Sequence, residues 1–101
     1  MYHTGKLAPD AESLMRSRYS AYALGLHVYI LETWHPSTRP ERLEPDTFPK
    51  WVGLKIKAAA YDTVEYVAKY KVNGRAYRMH ETSRFVCESG AWFYLEGTLH
   101  E

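Results

Sequence analysis

The chain has 101 residues, 46% hydrophobic and 15% aromatic, with a formal net charge of +1, which suits one domain around one core and gives no bulk attraction to nucleic acid or an anionic surface. No apolar run approaches the roughly 18 residues that span a bilayer, and no secretory leader pattern opens the chain, so membrane insertion and export are not expected. The single cysteine, Cys87, excludes an internal disulfide and a cysteine-built zinc site, and the resulting expectation is a cytoplasmic protein forming one domain over residues 1–101.

Residues 1–9 show no periodicity and read as an extended lead-in. The spacing then predicts a helix over 9–26. Asp10 is a good N-cap, Glu12 suits the first turn and Gly25 suits the stop. At about 100° per residue, Ala11, Leu14, Met15, Arg18, Tyr19, Tyr22 and Leu26 share one arc, and Ser13, Arg16, Ser17 and Ser20 share the other. Arg18 projects from the middle of the apolar arc, where a lone charge is costly unless something answers it. A second helix of about two turns is expected after Gly25, ended by Pro36. Pro36, Pro40, Pro45 and Pro49 mark 36–50 as an ordered loop capping one end of the domain, with room for one helical turn at Pro40 through Glu41, Arg42 and Leu43.

From Trp51 the period changes to two. Val52, Leu54, Ile56 and Ala58 alternate with Gly53, Lys55 and Lys57, and a second alternating run follows from Val64 to Val72. Asn73-Gly74 is a strong hairpin signal, and Ser89-Gly90 closes a long third strand, Arg75 to about Glu88, into a fourth, Ala91 to Gly97. Helices first and an antiparallel meander after them define an α+β class. A two-residue turn at Asn73-Gly74 sets Tyr70 by Tyr77, Ala68 by Met79, Tyr66 by Glu81 and Val64 by Ser83. A similar turn at Ser89-Gly90 sets Cys87 by Trp92, Phe85 by Tyr94 and Ser83 by Glu96. The helix-covered face then carries Tyr66, Tyr70, Tyr77, Met79, Glu81, Ser83, Phe85, Cys87, Trp92, Tyr94 and Glu96, unless a bulge in the third strand reverses the assignment. Glu81 becomes the expected ion-pair partner of Arg18. Inward tyrosine hydroxyls and carboxylates suit a partly polar cavity better than a dry core.

The segments LMRSRYSAY, TWHPSTRP and HETSRF, and the Trp-Phe-Tyr pattern before Glu96-Gly97, resemble the central domain of the YchJ family of uncharacterised bacterial proteins, over roughly Tyr2 to Thr98. The resemblance implies a fold similar to nuclear transport factor 2, a cone of helices packed into a strongly curved antiparallel sheet with a cavity between them. Family members commonly carry metal-binding SEC-C segments on either side of this domain, which are not seen here, so zinc is not carried over. Thr82 stands where members often have arginine. The resemblance implies no activity.

Residues expected to line a ligand site are Arg18, Tyr22, Trp34, His35, Tyr66, Glu81, Ser83, Trp92 and Glu96. Arg18 with Glu81 either binds a ligand or locks helix to sheet, and buried ion pairs are often structural. His35 is a candidate general base near neutral pH, although a histidine before proline in a turn more often bonds backbone. Cys87 reads as a small buried hydrophobe. No two of the five histidines have metal-ligand spacing, and no P-loop, dinucleotide fingerprint or nucleophile motif is present, so no metal or cofactor is expected. The leading expectation is a small-molecule or protein binding module using the conical cavity. One alternative is an isomerase, dehydratase or hydrolase using Glu81 or His35. Another is an interaction module on the outer sheet face around Val67, Val86, Phe93 and Leu95, expected at least to form a homodimer because a monomer would leave Phe93 and Leu95 exposed. Nucleic acid is not expected as a partner of that face, since Glu65 and Glu88 dilute its lysines and arginines.

Overall fold

The computed structural model describes residues 8–43 and 49–100. The first helix, α1 (Ala11–Leu24), begins where extended Asp10 accepts the Ser13 N–H at 2.7 Å. It ends at Gly25, whose φ of 71° is a left-handed conformation that glycine adopts without steric cost, and whose N–H closes on the last carbonyls of the helix. α2 (His27–Glu32) follows at once. Ala11, Leu14, Met15 and Arg18 are buried as the helical arc predicts. Ser17, assigned to the solvent arc, is buried too. Its hydroxyl donates to the Leu14 carbonyl at 2.8 Å and shares a 2.6 Å bond with the Tyr29 hydroxyl. The reason is that α2 packs on that flank of α1, so α1 is enclosed on two sides.

Four strands follow, β1 (Lys50–Ala59), β2 (Thr63–Val72), β3 (Arg75–Glu88) and β4 (Ala91–Leu99), hydrogen-bonded in that order into one antiparallel sheet. Asn73-Gly74 and Ser89-Gly90 all have positive φ, as hairpin turns that match the strand twist require. The β2–β3 register is the expected one throughout, including Tyr66 by Glu81 and Val64 by Ser83. Phe85 faces Tyr94 and Cys87 faces Trp92, also as expected. Beyond Phe85 the register departs. Arg84 pairs with Glu96 and Ser83 with Gly97, so Leu95 is left without a partner. The bulge lies in β4 rather than β3, and it turns Glu96 to the outer face and Gly97 inward. Two further shifts in β1, at Val52 and Lys57, leave Val52 47% exposed while Trp51, Leu54 and Ile56 pack toward the core.

One core cluster joins α1 to the sheet through Leu14, Met15, Val64, Tyr66, Ala68, Phe85 and Trp92, and a second joins Ala21 to Tyr29 and Ile30 of α2. The expected loop after α2 is ordered over 33–43 but forms no helical turn at Glu41–Leu43, and residues 44–48 of it, with Pro45, lie outside the described residues. Its first part runs along β4. Tyr94 donates its N–H to the Thr33 carbonyl at 2.8 Å and accepts from the His35 N–H at 2.7 Å, so this segment covers the sheet edge. Phe93 and Leu95 are thereby half-buried within the chain, with the His35 ring edge-on to Phe93, and their burial does not require a second copy. Cys87 is exposed, not buried, because its pair sits next to the Ser89-Gly90 turn at the far end of the sheet. Tyr77, assigned to the covered face, is 43% exposed and stacks on Tyr70 where the β2–β3 hairpin runs past the helices. Among the described residues, no helix is long and apolar enough to cross a membrane.

Candidate functional site

A cavity of about 220 Å³ opens between α1 and the concave face of the sheet. α1 contributes Met15, Arg18, Tyr19 and Tyr22, spaced to fall on one helical face. The sheet contributes Trp51, Tyr66, Ala68, Met79, Glu81, Ser83 and Tyr94, residues that strand alternation points inward. Of the nine residues expected at the site, the structure brings together Arg18, Tyr22, Tyr66, Glu81 and Ser83.

The other four lie elsewhere. Trp34 packs edge-on against Tyr94 at 5.0 Å and beneath Arg18, forming support behind the cavity wall. His35 is tied into its turn. The Ser37 N–H donates to Nδ1 at 3.1 Å, so Nε2 is left to carry the proton toward the Glu88 carboxylate at 3.0 Å. Trp92 is a core residue that meets Tyr61 at 5.1 Å. Glu96 is turned outward by the β4 bulge and pairs with Arg84 at 2.9 Å. The wall residues missing from the expected set, notably Tyr94, Trp51 and Met79, carry the inward-facing signal but no ionisable group that singled them out.

Arg18 is 4% exposed, and its partner is not Glu81. One guanidinium nitrogen donates to the Ile30 carbonyl and to the Thr33 hydroxyl, both at 2.7 Å. Ile30 O is among the last carbonyls of α2, which have no acceptor role inside so short a helix, and a cation reaching across from α1 satisfies it. The guanidinium carbon also lies over the rings of Tyr94 at 4.6 Å and Trp34 at 5.3 Å. Burial pushes the guanidinium down from its usual range, with the neighbouring tyrosines opposing that shift; arginine starts so high that it stays charged. Among the described residues, no carboxylate lies within 4.0 Å of it.

Glu81 faces the same cavity from β3. Its Oε1 accepts from the Tyr66 hydroxyl and from the Ser83 hydroxyl, both at 2.8 Å. Its other oxygen has no hydrogen-bond partner among the described residues. The Trp51 indole N–H is buried and likewise has none. The cavity therefore offers a fixed cation and an unused acceptor on otherwise aromatic and thioether walls, and the unsatisfied Trp51 N–H is sealed behind one of those walls.

The tyrosines record the same environment. Desolvation, reinforced by the Glu81 carboxylate, pushes the Tyr66 hydroxyl far above the usual phenol range and the Tyr94 hydroxyl up to about 12. A phenol raised in the folded state contributes stability that is fully present below its ordinary value of about 10 and is lost as pH rises through the folded value. The expected outcome is alkaline unfolding above pH ~10, with these two tyrosines ionising only as the fold is lost. Following tyrosinate absorbance beside circular dichroism checks this. Complete titration of all nine tyrosines near the ordinary value with the fold intact refutes it.

Comparison with known proteins bears on the family and the fold. The profile of the family described as YchJ, middle NTF2-like domain, matches residues 10–97. A UPF0225 protein of Chromobacterium violaceum is 56% identical, over 89% of this chain and 74% of its own. Another, from Bordetella pertussis, is 52% identical over 97% of this chain and 80% of its own. The solution structure of a SEC-C motif containing protein from Rhodopseudomonas palustris superposes with a TM-score of 0.80 at 31% identity, covering 94% of this chain and 82% of that one.

Proposed function

This chain belongs to the YchJ middle NTF2-like family, and from that premise we propose that its cone binds a small, mostly apolar molecule carrying an anionic or acceptor group at one end and a hydrogen-bond donor at the other. The observation that carries the reading is Arg18, a buried cation at a cavity wall with no carboxylate within 4.0 Å among the described residues. Buried charge without a counter-charge is costly, and an anionic ligand relieves it. Glu81 lines the same cavity from β3, where its unused oxygen suits a ligand hydroxyl or amine. About 220 Å³ corresponds to the share of roughly seven waters in the liquid, enough for one small aromatic or aliphatic acid and too little for a nucleotide or lipid.

An enzyme reading needs an acid or base at the cavity. Glu81 is there, whereas His35 is held at the outer turn by Ser37 and Glu88. Binding is accordingly placed ahead of catalysis.

The test is a titration with 4-hydroxybenzoate, which has a carboxylate for Arg18 and a hydroxyl for Glu81, followed through the Trp51 indole and the Met15 and Met79 methyl signals. Saturable shifts at these groups are expected. Ala68→Leu places a larger side chain into the cavity from a fully buried position. It should leave the fold stable and weaken binding at least tenfold. Shifts confined to other surfaces, or equal affinity in the filled variant, overturn the proposal.

A further inference from the structure

We propose that Glu65, His80 and His100 form a binding site for one borderline divalent transition-metal ion, of which Zn²⁺ is the reference case, on the sheet face turned away from the cavity. Two strands and the residue that follows a third build it. Glu65 lies in β2 opposite Thr82, and His80 lies in β3 opposite Val67, so the two are diagonal neighbours on one face. His100 stands just beyond β4, and its N–H donates to the His80 carbonyl at 2.8 Å, which carries the ladder one step past Leu99.

The backbone of all three is therefore held by the sheet, and only side chains need to move. One ligand atom from each residue already falls within 4.8 Å of the others. A tetrahedral ion with bonds of about 2.0–2.2 Å wants its ligands roughly 3.4 Å apart. Closing the set takes a swing of about 1 Å at side chains that are about one-third exposed at Glu65 and His80, not locked in a core.

A histidine–carboxylate bond accounts for Glu65 with His80, whose Nε2 and Oε2 lie 2.6 Å apart. It does not account for the second imidazole stacked on the first, 4.2 Å between centroids and 21° between planes. Thr82 fixes that second ring by a 2.7 Å bond to Nε2, leaving Nδ1 as its ligand atom. An imidazole oriented by a partner on its other nitrogen, as Thr82 orients His100, is the usual condition of a metal-binding histidine; His80 is instead held on its sheet position with Nε2 already turned to Glu65. Two imidazole nitrogens and one carboxylate oxygen suit Zn²⁺, Co²⁺ or Ni²⁺; Mg²⁺ and Ca²⁺ prefer all-oxygen shells. Three protein ligands leave a fourth position for water.

The test is calorimetric titration of ZnCl₂ into the whole chain, purified without a histidine tag and carrying Cys87→Ser so that the exposed thiol does not contribute. One ion per chain is expected, with no comparable heat from MgCl₂. His100→Ala, at an exposed position, and Glu65→Gln should each weaken binding at least tenfold while the thermal midpoint without metal stays close to the parent's. Paramagnetic Co²⁺ should broaden the ring signals of His80 and His100 ahead of those of His27 and His35. Unchanged affinity in His100→Ala, or broadening centred on other histidines, overturns the site. Neither readout depends on the cavity.

Discussion

Arg18→Ala should lower the unfolding free energy by about 2–4 kcal/mol, a large share of the total for a domain of this size. The charged donor satisfies the Ile30 carbonyl and the Thr33 hydroxyl across the α1–α2 junction. Without Arg18 the Ile30 carbonyl keeps only a 3.3 Å bond from the Thr33 hydroxyl, and loss of its charged donor costs about 1–3 kcal/mol, to which loss of the Tyr94 and Trp34 ring contacts adds about 0.5–2 kcal/mol. Relief of the buried charge offsets part of this, which is why the upper end is not higher. Urea denaturation measures it. An ion pair and a helix cap then separate in a second experiment. Were Arg18 paired with Glu81, Arg18→Met with Glu81→Leu would restore stability. With Arg18 bonded to α2 instead, the cycle should show a coupling below about 1 kcal/mol and the double variant should stay destabilised. A cost of Arg18→Ala below about 1 kcal/mol contradicts the capping role.

Gly97→Ala should cost about 2–3 kcal/mol and disable the cavity, although it adds one methyl group at a strand end. A Cβ at this position would stand 2.5 Å from Glu81 Oε1, 2.7 Å from its carboxyl carbon and 2.9 Å from the Tyr94 hydroxyl. The carboxylate must then leave the position where it accepts from Tyr66 and Ser83. Those hydroxyls belong to residues 6% and 1% exposed, so each loses its partner away from water. Thermal unfolding reads the stability change, and 4-hydroxybenzoate titration reads the cavity. The steric cause is checked in a Glu81→Ala background, where no carboxylate remains to be displaced and Gly97→Ala should cost little. An equal cost in both backgrounds assigns the effect to the backbone of β4 instead.

Both expectations depend on relations that single positions do not display. The helix boundaries, both hairpins and the β2–β3 register follow from local rules. Asp10 caps because its carboxylate reaches the Ser13 N–H three residues on, Gly25 stops α1 because its φ is positive, and Asn73-Gly74 closes a two-residue turn that sets every pair behind it. Arg18 and Glu81 are legible as inward charges for the same reason, since helical and strand periods assign each residue a face. Their partners are not. Matching two inward charges by sign overlooked the carbonyls at the end of α2, which carry no side-chain signature and await a donor at every helix C-terminus.

The sequence by itself determined an α+β domain with helices laid on an antiparallel meander and the family to which it belongs, and it pointed five of its nine expected site residues, Arg18, Tyr22, Tyr66, Glu81 and Ser83, into the cavity, because period, turn chemistry and motif order all act over short stretches of chain. Only the tertiary structure decided what those residues do. The β4 bulge turned Glu96 outward and Gly97 toward Glu81 and the Tyr94 hydroxyl, α2 took Arg18 away from Glu81, and the segment after α2 drew Trp34 and His35 onto the β4 edge. It also placed His100 against His80 from the far end of the chain. A bulge changes register without changing composition, and contacts between distant strands depend on how whole elements pack. Neither is written in the spacing of residues within one element.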